Sequence, residues 1–248
     1  MALDYTLERT RRHFVAGRAD ALSTQIVSRV RDDLFEKKLK PGDFLGTEMD
    51  LANRYGVSRI VARDAMRTLA ALGIVEIKMG KGGGARIAPG NPRLFAEAMA
   101  VQLELAGVTA AEILDAQRAI ECLAAELAAL NATPSDRARL RRLISDAEAL
   151  LGDDDAFTRA CAEFHLAVAE ASHNRALVVQ FLSLHYISWP SRNRTLTPKV
   201  SKRVMDVHKE LAALIEMRDA AGARQLMDDH VKMIRARRVA ERDNVNCC

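Results

Sequence analysis

The stretch "APGNPR", residues 88 to 93, places two prolines and a glycine within six positions. No other feature constrains the fold of this chain as strongly. Proline fixes φ and lacks a backbone N–H, and glycine is costly to order, so neither a helix nor a strand is expected to run through such a segment. The apolar pattern also changes across it. Short helical segments and strand-like runs precede the break, whereas only helical spacing follows it. With 248 residues, the chain is expected to form two modest domains, each long enough to bury a core.

Before the break, the spacing predicts a helix near 21–38, a turn at Pro41-Gly42 and a short helix near 47–55 that Thr47 caps and Gly56 ends. Ser58 then caps a helix over about 59–72, which stops at Gly73. "IVEIKM" (74–79) alternates as a strand does, "GKGGG" (80–84) is a turn, and "ARIA" (85–88) returns as the paired strand. After the break, helices are expected near 92–105, 109–130, 134–151, 154–172, 174–188, 197–218 and 220–241. The fold expected is mostly α: a helix-turn-helix with a small β-hairpin wing, then an antiparallel all-α bundle. The corresponding boundaries are an N-terminal extension 1–20 carrying the basic "RTRRHF", a first domain 21–88, a linker 89–92, a second domain 93–241 and a tail 242–248.

Composition agrees with this reading. The chain is 49% hydrophobic but only 4% aromatic, a balance that suits Ala- and Leu-rich helices. No run approaches the ~18 apolar residues that span a bilayer, and the first residues lack an apolar signal region, so a cytoplasmic protein without a membrane partner is expected. Four cysteines (Cys122, Cys161, Cys247, Cys248) form no CxxC spacing, as in a reducing compartment. Charge is unevenly distributed. Residues 1–88 hold 16 Lys+Arg against 11 Asp+Glu, a net of +5, and residues 89–248 hold 21 against 22, a net of −1. A polyanion-binding end is expected in the first domain.

Within that domain, "SRIVARDAMR" spaces Arg59, Arg63 and Arg67 four residues apart, on the side opposite Val57, Val61, Ala65, Leu69 and Leu72. Like charges at this spacing weaken an isolated helix by about 0.2–0.5 kcal/mol per pair, and Asp64 can relieve only part of that. A solvated surface is the ordinary reading of such a stripe. Here it coincides with a helix-turn, a basic excess and a glycine-rich hairpin, the order of a winged helix-turn-helix whose second helix enters the major groove. Arg59 and Arg63 then reach base edges or phosphates, and Ser58 and Thr47 sit at helix starts that suit phosphate. Arg67 lies a turn farther in, near phosphate or Asp64. Lys81 and Gly82 occupy a hairpin tip that can approach DNA closely.

The segment "LKPGDFLGTEMDLANRYGVSRIVARDAMRTLAALGIVEIKMGKGGGARI" resembles the DNA-binding domain of GntR-type bacterial transcription regulators. The matching residues are Pro41-Gly42, Leu51-Ala52, Val57-Ser58-Arg59, Arg63 with an acidic neighbour, Leu69, Gly73 and the glycine wing. The resemblance implies operator contacts by Arg59 and Arg63. It departs at Met49, where many relatives carry a basic or polar contact residue.

Three histidines of the second domain share faces with apolar residues. His165 lies with Phe157, Cys161, Phe164 and Val168, His208 with Val204, Val207, Leu211 and Ile215, and His230 with Leu226, Met227, Met233 and Ile234. His208 and His230 stand 11 residues on either side of Asp219, a helix N-cap at the turn between the last two helices. In an antiparallel hairpin both rings then lie about 16 Å from the turn, at the same height. Cys161 and His165 are one helical turn apart. Imidazoles with a thiolate or carboxylate suit a divalent ion, zinc first and nickel or manganese after it. A lone inward histidine is ordinarily a hydrogen-bonded core residue, and the converging set argues otherwise. His185, on a face with Phe181 and Leu182, lines the same cavity.

"ILDAQRAIECLAAELAAL", "AEFHLAVAEASHNRAL" and "VHKELAALIEMRDAAGARQLMDDHV" resemble the ligand-sensing FCD domain of the FadR-type GntR subgroup. That resemblance implies a helical bundle holding a metal and a small carboxylate effector in a homodimeric regulator, usually a repressor. His165, His208 and His230 match the histidine ligands, Cys161 stands where an Asp ligand is usual, and Arg118 matches an arginine that pairs with the effector. Two other functions fit the same histidines: a metal-independent regulator binding a larger acyl ligand, and a metalloenzyme. HExxH is absent and no carboxylate is evident beside the histidines, which weighs against an enzyme.

Overall fold

Local capping chemistry sets most helix boundaries. The computed structural model describes residues 18–80, 82–188 and 196–245. The "RTRRHF" stretch, Lys81, the break at Pro190 and the Cys247–Cys248 pair lie outside them. The chain forms two compact units, Met1–Asn91 and Pro92–Cys248.

The first unit runs α1 (Arg18–Phe35), β1 (Phe44–Gly46), α2 (Glu48–Tyr55), α3 (Arg59–Ala71), β2 (Val75–Lys78) and β3 (Gly84–Ile87). Thr47 and Asp50 form a reciprocal capping box at α2. Gly56 ends that helix at φ 63°, a left-handed conformation that glycine adopts without a Cβ penalty. Ser58 caps α3 by accepting from the Val61 N–H. The hairpin pairs Val75 with Ile87 and Lys78 with Gly84.

Three expectations are corrected here. Residues 44–46 form a third strand, giving the antiparallel order β1-β3-β2, which three residues are too short to announce by alternation. α1 ends at Phe35 rather than near 38, because Lys37 takes φ 59° and the N–H of Lys38 closes on the Asp33 carbonyl. Leu72 is 58% exposed at the C-cap of α3, not on its buried side. Val61, Ala65 and Leu69 do face inward, against Ile26 and Val30 of α1, Leu51 of α2 and Val75 and Ile87 of the sheet. Burial of each large side chain there stabilises the unit by about 1.5–3 kcal/mol.

Among the described residues the second unit holds seven helices: α4 (Pro92–Leu105), α5 (Ala110–Asn131), α6 (Pro134–Glu148), α7 (Asp154–Ala171), α8 (Arg175–Ser188), α9 (Pro198–Glu216) and α10 (Ala220–Val245). Capping boxes start α5 at Thr109/Glu112 and α6 at Thr133/Asp136. Proline follows the cap in α6 and α9. Asp219 receives the Gly222 N–H at 2.9 Å, the capping role expected of it. α5 is the central helix and packs on α7, α8, α9 and α10. Its buried Ala124, Ala125, Ala128 and Ala129 let those neighbours approach closely, which accounts for a large core in a chain so poor in aromatic residues. No described helix is long and apolar enough to cross a membrane.

Candidate functional site

In the first unit the candidate surface is the outer side of α3. Ser58, Arg59, Arg63 and Arg67 are all exposed, and so is Ile60, at 76%. The sequence had singled out the arginines and missed Ile60. The repulsion along the stripe is relieved differently from expectation. Asp64 accepts from the Ser23 hydroxyl of α1 at 2.6 Å. Arg63 instead closes a two-pronged pair with Glu48, the first residue of α2, Nε to Oε1 at 2.8 Å and Nη2 to Oε2 at 2.9 Å. The hydrogen bond from Arg63 holds the Glu48 carboxyl below its ordinary value against the opposing effect of burial, with the charges of Arg63, Arg59 and Arg67 helping. The Thr47 hydroxyl is engaged in its cap, donating to Asp50 Oδ2 at 2.8 Å, so contact with a phosphate requires giving up that bond. Gly82 sits at the hairpin tip with φ 77° and open space around it. Met49 is exposed at the start of α2.

In the second unit α7, α9 and α10 each carry one histidine to the same point. His208 is 1% and His230 3% exposed. His208 Nε2 lies 3.2 Å from His165 Nε2, and the three rings' candidate ligand atoms lie within 4.8 Å of one another. The centroids of His208 and His230 are 5.4 Å apart, so the two rings do stand at one height along the α9–α10 hairpin. Phe164 stacks on His208 at 4.3 Å and 17°, fixing its plane.

Burial and neighbouring charge favour the neutral forms of His208 and His230. Burial, then the charge of His165, depresses His230 to about 3, with Glu121 acting the other way. Burial, then His165 and His230, push His208 well down. Neutral rings keep lone pairs for a cation. Among the described residues neither ring nitrogen of His230 has a hydrogen-bond partner, although both are buried. Leaving such groups unsatisfied costs about 1–3 kcal/mol.

A carboxylate does stand beside the histidines, contrary to expectation. Glu121 of α5, 3% exposed, brings Oε2 to 2.5 Å from His165 Nδ1, a close contact off the angle of a hydrogen bond. Burial opposes its ionisation, but the adjacent His165 and Gln117 outweigh that and its pKa ends lowered. A carboxylate behind a ligating histidine fixes the ring's tautomer. The sequence signal for this was Gln117 and Glu121 at i and i+4 on α5, with Gln117 Nε2 donating to Glu121 Oε1 at 2.6 Å.

One expected site residue is placed elsewhere, and another lines the cavity outside the ligand group. Arg118 does not line the histidine cavity. It is about 100° around α5 from Gln117, where its Nε meets Asp228 of α10 at 3.3 Å in a separate pocket with Asp115 and Cys122. Cys161 lines the cavity but is not in the converging ligand group. Burial raises its thiol to about 12 in the absence of an ion. His185 does line the cavity and stacks on Phe181 at 5.4 Å. The cavity, partly open to the outside, has a volume of about 100 Å³. Beyond the histidines its polar lining includes Gln117, Thr158 and Arg237, and Gln117 Oε1 and Thr158 Oγ1 are buried without partners.

A winged helix-turn-helix followed by an all-α bundle around a histidine cavity defines a ligand-responsive DNA-binding regulator. Residues 22–84 match the signature of bacterial regulatory proteins of the gntR family, and residues 112–233 match the FCD domain. The chain belongs to the GntR family and carries an FCD domain. It is 33% identical over 223 residues to a regulatory protein assigned to the L-lactate dehydrogenase operon of Escherichia coli (strain K12), covering 86% of this chain and 84% of that one. It is 28% identical over 224 residues to the Uxu operon regulator of Haemophilus influenzae, covering 86% and 80%. The structure of a Streptococcus agalactiae GntR superposes with a TM-score of 0.59 at 22% identity, covering 86% of this chain and 99% of that one, and so shares the fold. These relatives are transcription regulators, not enzymes.

Proposed function

We propose that this regulator is a homodimeric, cytoplasmic repressor that leaves its operator when a small carboxylate enters the histidine cavity. Arg59, Arg63 and Arg67 meet the duplex, with Ser58 and the Gly82 tip carrying Lys81 near phosphate. His165, His208 and His230 hold a divalent ion. Zinc suits three nitrogen donors, and nickel and manganese are the other candidates. Nitrogens around one zinc stand about 3.3 Å apart, and one pair already lies at 3.2 Å. The observation that carries this reading is His230, a buried imidazole with neither nitrogen satisfied. When bound, the ion supplies a Lewis-acidic anchor for a carboxylate oxygen.

The effector is small, because the cavity of about 100 Å³ has room for several waters but not a long acyl chain. Arg237 of α10, in place of Arg118, is the cation on the cavity wall that suits a carboxylate. Gln117 Oε1 calls for a donor, and Thr158 Oγ1 offers a partner to one. A hydroxy carboxylate supplies both groups, in keeping with the relative assigned to an L-lactate dehydrogenase operon. Glu121 lines the cavity and stands against His165 Nδ1, and the enzyme reading gains nothing from it, since the relatives named above are transcription regulators.

Elemental analysis of protein purified without chelator, beside a His208→Ala, His230→Ala double mutant, tests the core of this reading. About one ion per chain, lost in the mutant, is expected. Metal-free wild-type protein would sink the metal reading and leave DNA binding standing.

A further inference from the structure

We propose that Glu48 is a positioning residue for DNA reading, aiming the Arg63 guanidinium and making the surface selective rather than merely basic. The inference rests on α3 being the helix that reads DNA. Glu48 and Arg63 are 15 residues apart in sequence and belong to different helices, yet they form a two-pronged pair. Their side chains remain 32% and 48% exposed, and exposed pairs add little to stability. The fold therefore has no need of it.

The pair does decide where the guanidinium points. Arginine carries five N–H donors in a rigid fork. Glu48 engages Nε and one Nη2 proton, which leaves the outer Nη1–Nη2 edge to donate. That edge is the one that meets guanine O6 and N7 together. A guanidinium held this way presents its reading edge before DNA arrives, whereas a free one samples many orientations and settles equally well on any phosphate. The carboxylate also stands in the combined field of Arg59, Arg63 and Arg67. A negative charge there repels phosphate that approaches without a matching base, a repulsive element of the kind that specific interfaces use.

Enrichment of a random-sequence duplex library by the full-length protein tests this, using wild type, Glu48→Gln, Glu48→Asp and Arg63→Ala. Thermal unfolding of each is measured alongside. Wild type is expected to enrich a defined motif. Glu48→Gln should unfold like wild type but lose base preference at the positions that Arg63→Ala also loses, and should bind unselected duplex several-fold more tightly at fixed salt. Glu48→Asp should restore part of the motif. An unchanged motif with unchanged affinity for unselected duplex would overturn the proposal and leave an ordinary surface pair. Lost preference at a position that Arg63→Ala leaves intact would overturn it too, assigning Glu48 a direct base contact. Failure of wild type to enrich any motif would strike at base reading by α3 itself, and so is distinct from both.

Discussion

His230 separates a ligand from a core residue at the level of one side chain. Its nitrogens have no hydrogen-bond partner among the described residues, so replacing it with leucine removes an unsatisfied group and costs the metal-free protein less than about 1 kcal/mol. With zinc present, wild type is expected to gain melting temperature while His230→Leu does not, because only a protein that binds the ion is stabilised by it. Differential scanning fluorimetry with chelator and with zinc checks both arms. Equal destabilisation in both conditions would mean the ring is structural. Cys161→Ala should leave the metal content near wild type, since its sulfur lies outside the converging group. The three histidines were legible from sequence because each sat at helical spacing among apolar residues. Arg118, matched by resemblance, stands about 100° around α5 from Gln117, and that phase turns it toward Asp228.

Individual helices carry predictions about phase and caps. On α3, Leu69 is fully buried and Leu72 is 58% exposed, so Leu69→Ala should cost about 2–5 kcal/mol in denaturant unfolding. Leu72→Ala should stay within about 0.5 kcal/mol. On α6, Thr133→Ala removes a capping box and should cost about 1 kcal/mol near neutral pH. Burial opposes ionisation of Asp136, but the Thr133 hydroxyl and N–H and then His173, 2.9 Å away, outweigh it and lower its pKa. A lowered carboxyl pKa contributes stability above its ordinary value of 3.8 that disappears as pH falls through the lowered one. The cost of Thr133→Ala should therefore shrink on acidification, and an undiminished cost at low pH would count against the reciprocal bond. Helices were readable because their caps are local: Thr47, Ser58, Thr109, Thr133 and Thr197 lie within three residues of the N–H groups they satisfy. Strand β1 was not, because its three residues are strand only through pairing with β3 some 40 positions later.

For the whole regulator, an effector can release operator only by the difference in its affinity for the DNA-binding and released arrangements. A tenfold loss of DNA affinity needs about 1.4 kcal/mol of that difference. If the ion anchors the carboxylate, a small hydroxy acid should weaken DNA binding at least tenfold in metal-loaded protein and hardly at all after chelation, measured by fluorescence anisotropy on an enriched duplex. Equal release with and without metal would place the carboxylate on Arg237 alone. By itself the sequence determined what depends on near neighbours: the division at "APGNPR", the helix caps, the Gly-tipped hairpin and the inward faces bearing His165, His208 and His230. Tertiary structure alone decided which distant groups meet, namely Glu48 with Arg63, Asp64 with Ser23, Glu121 with His165 and Arg118 with Asp228. Periodicity assigns each side chain to a face, but a face has several neighbours. Only the packing of whole helices selects one.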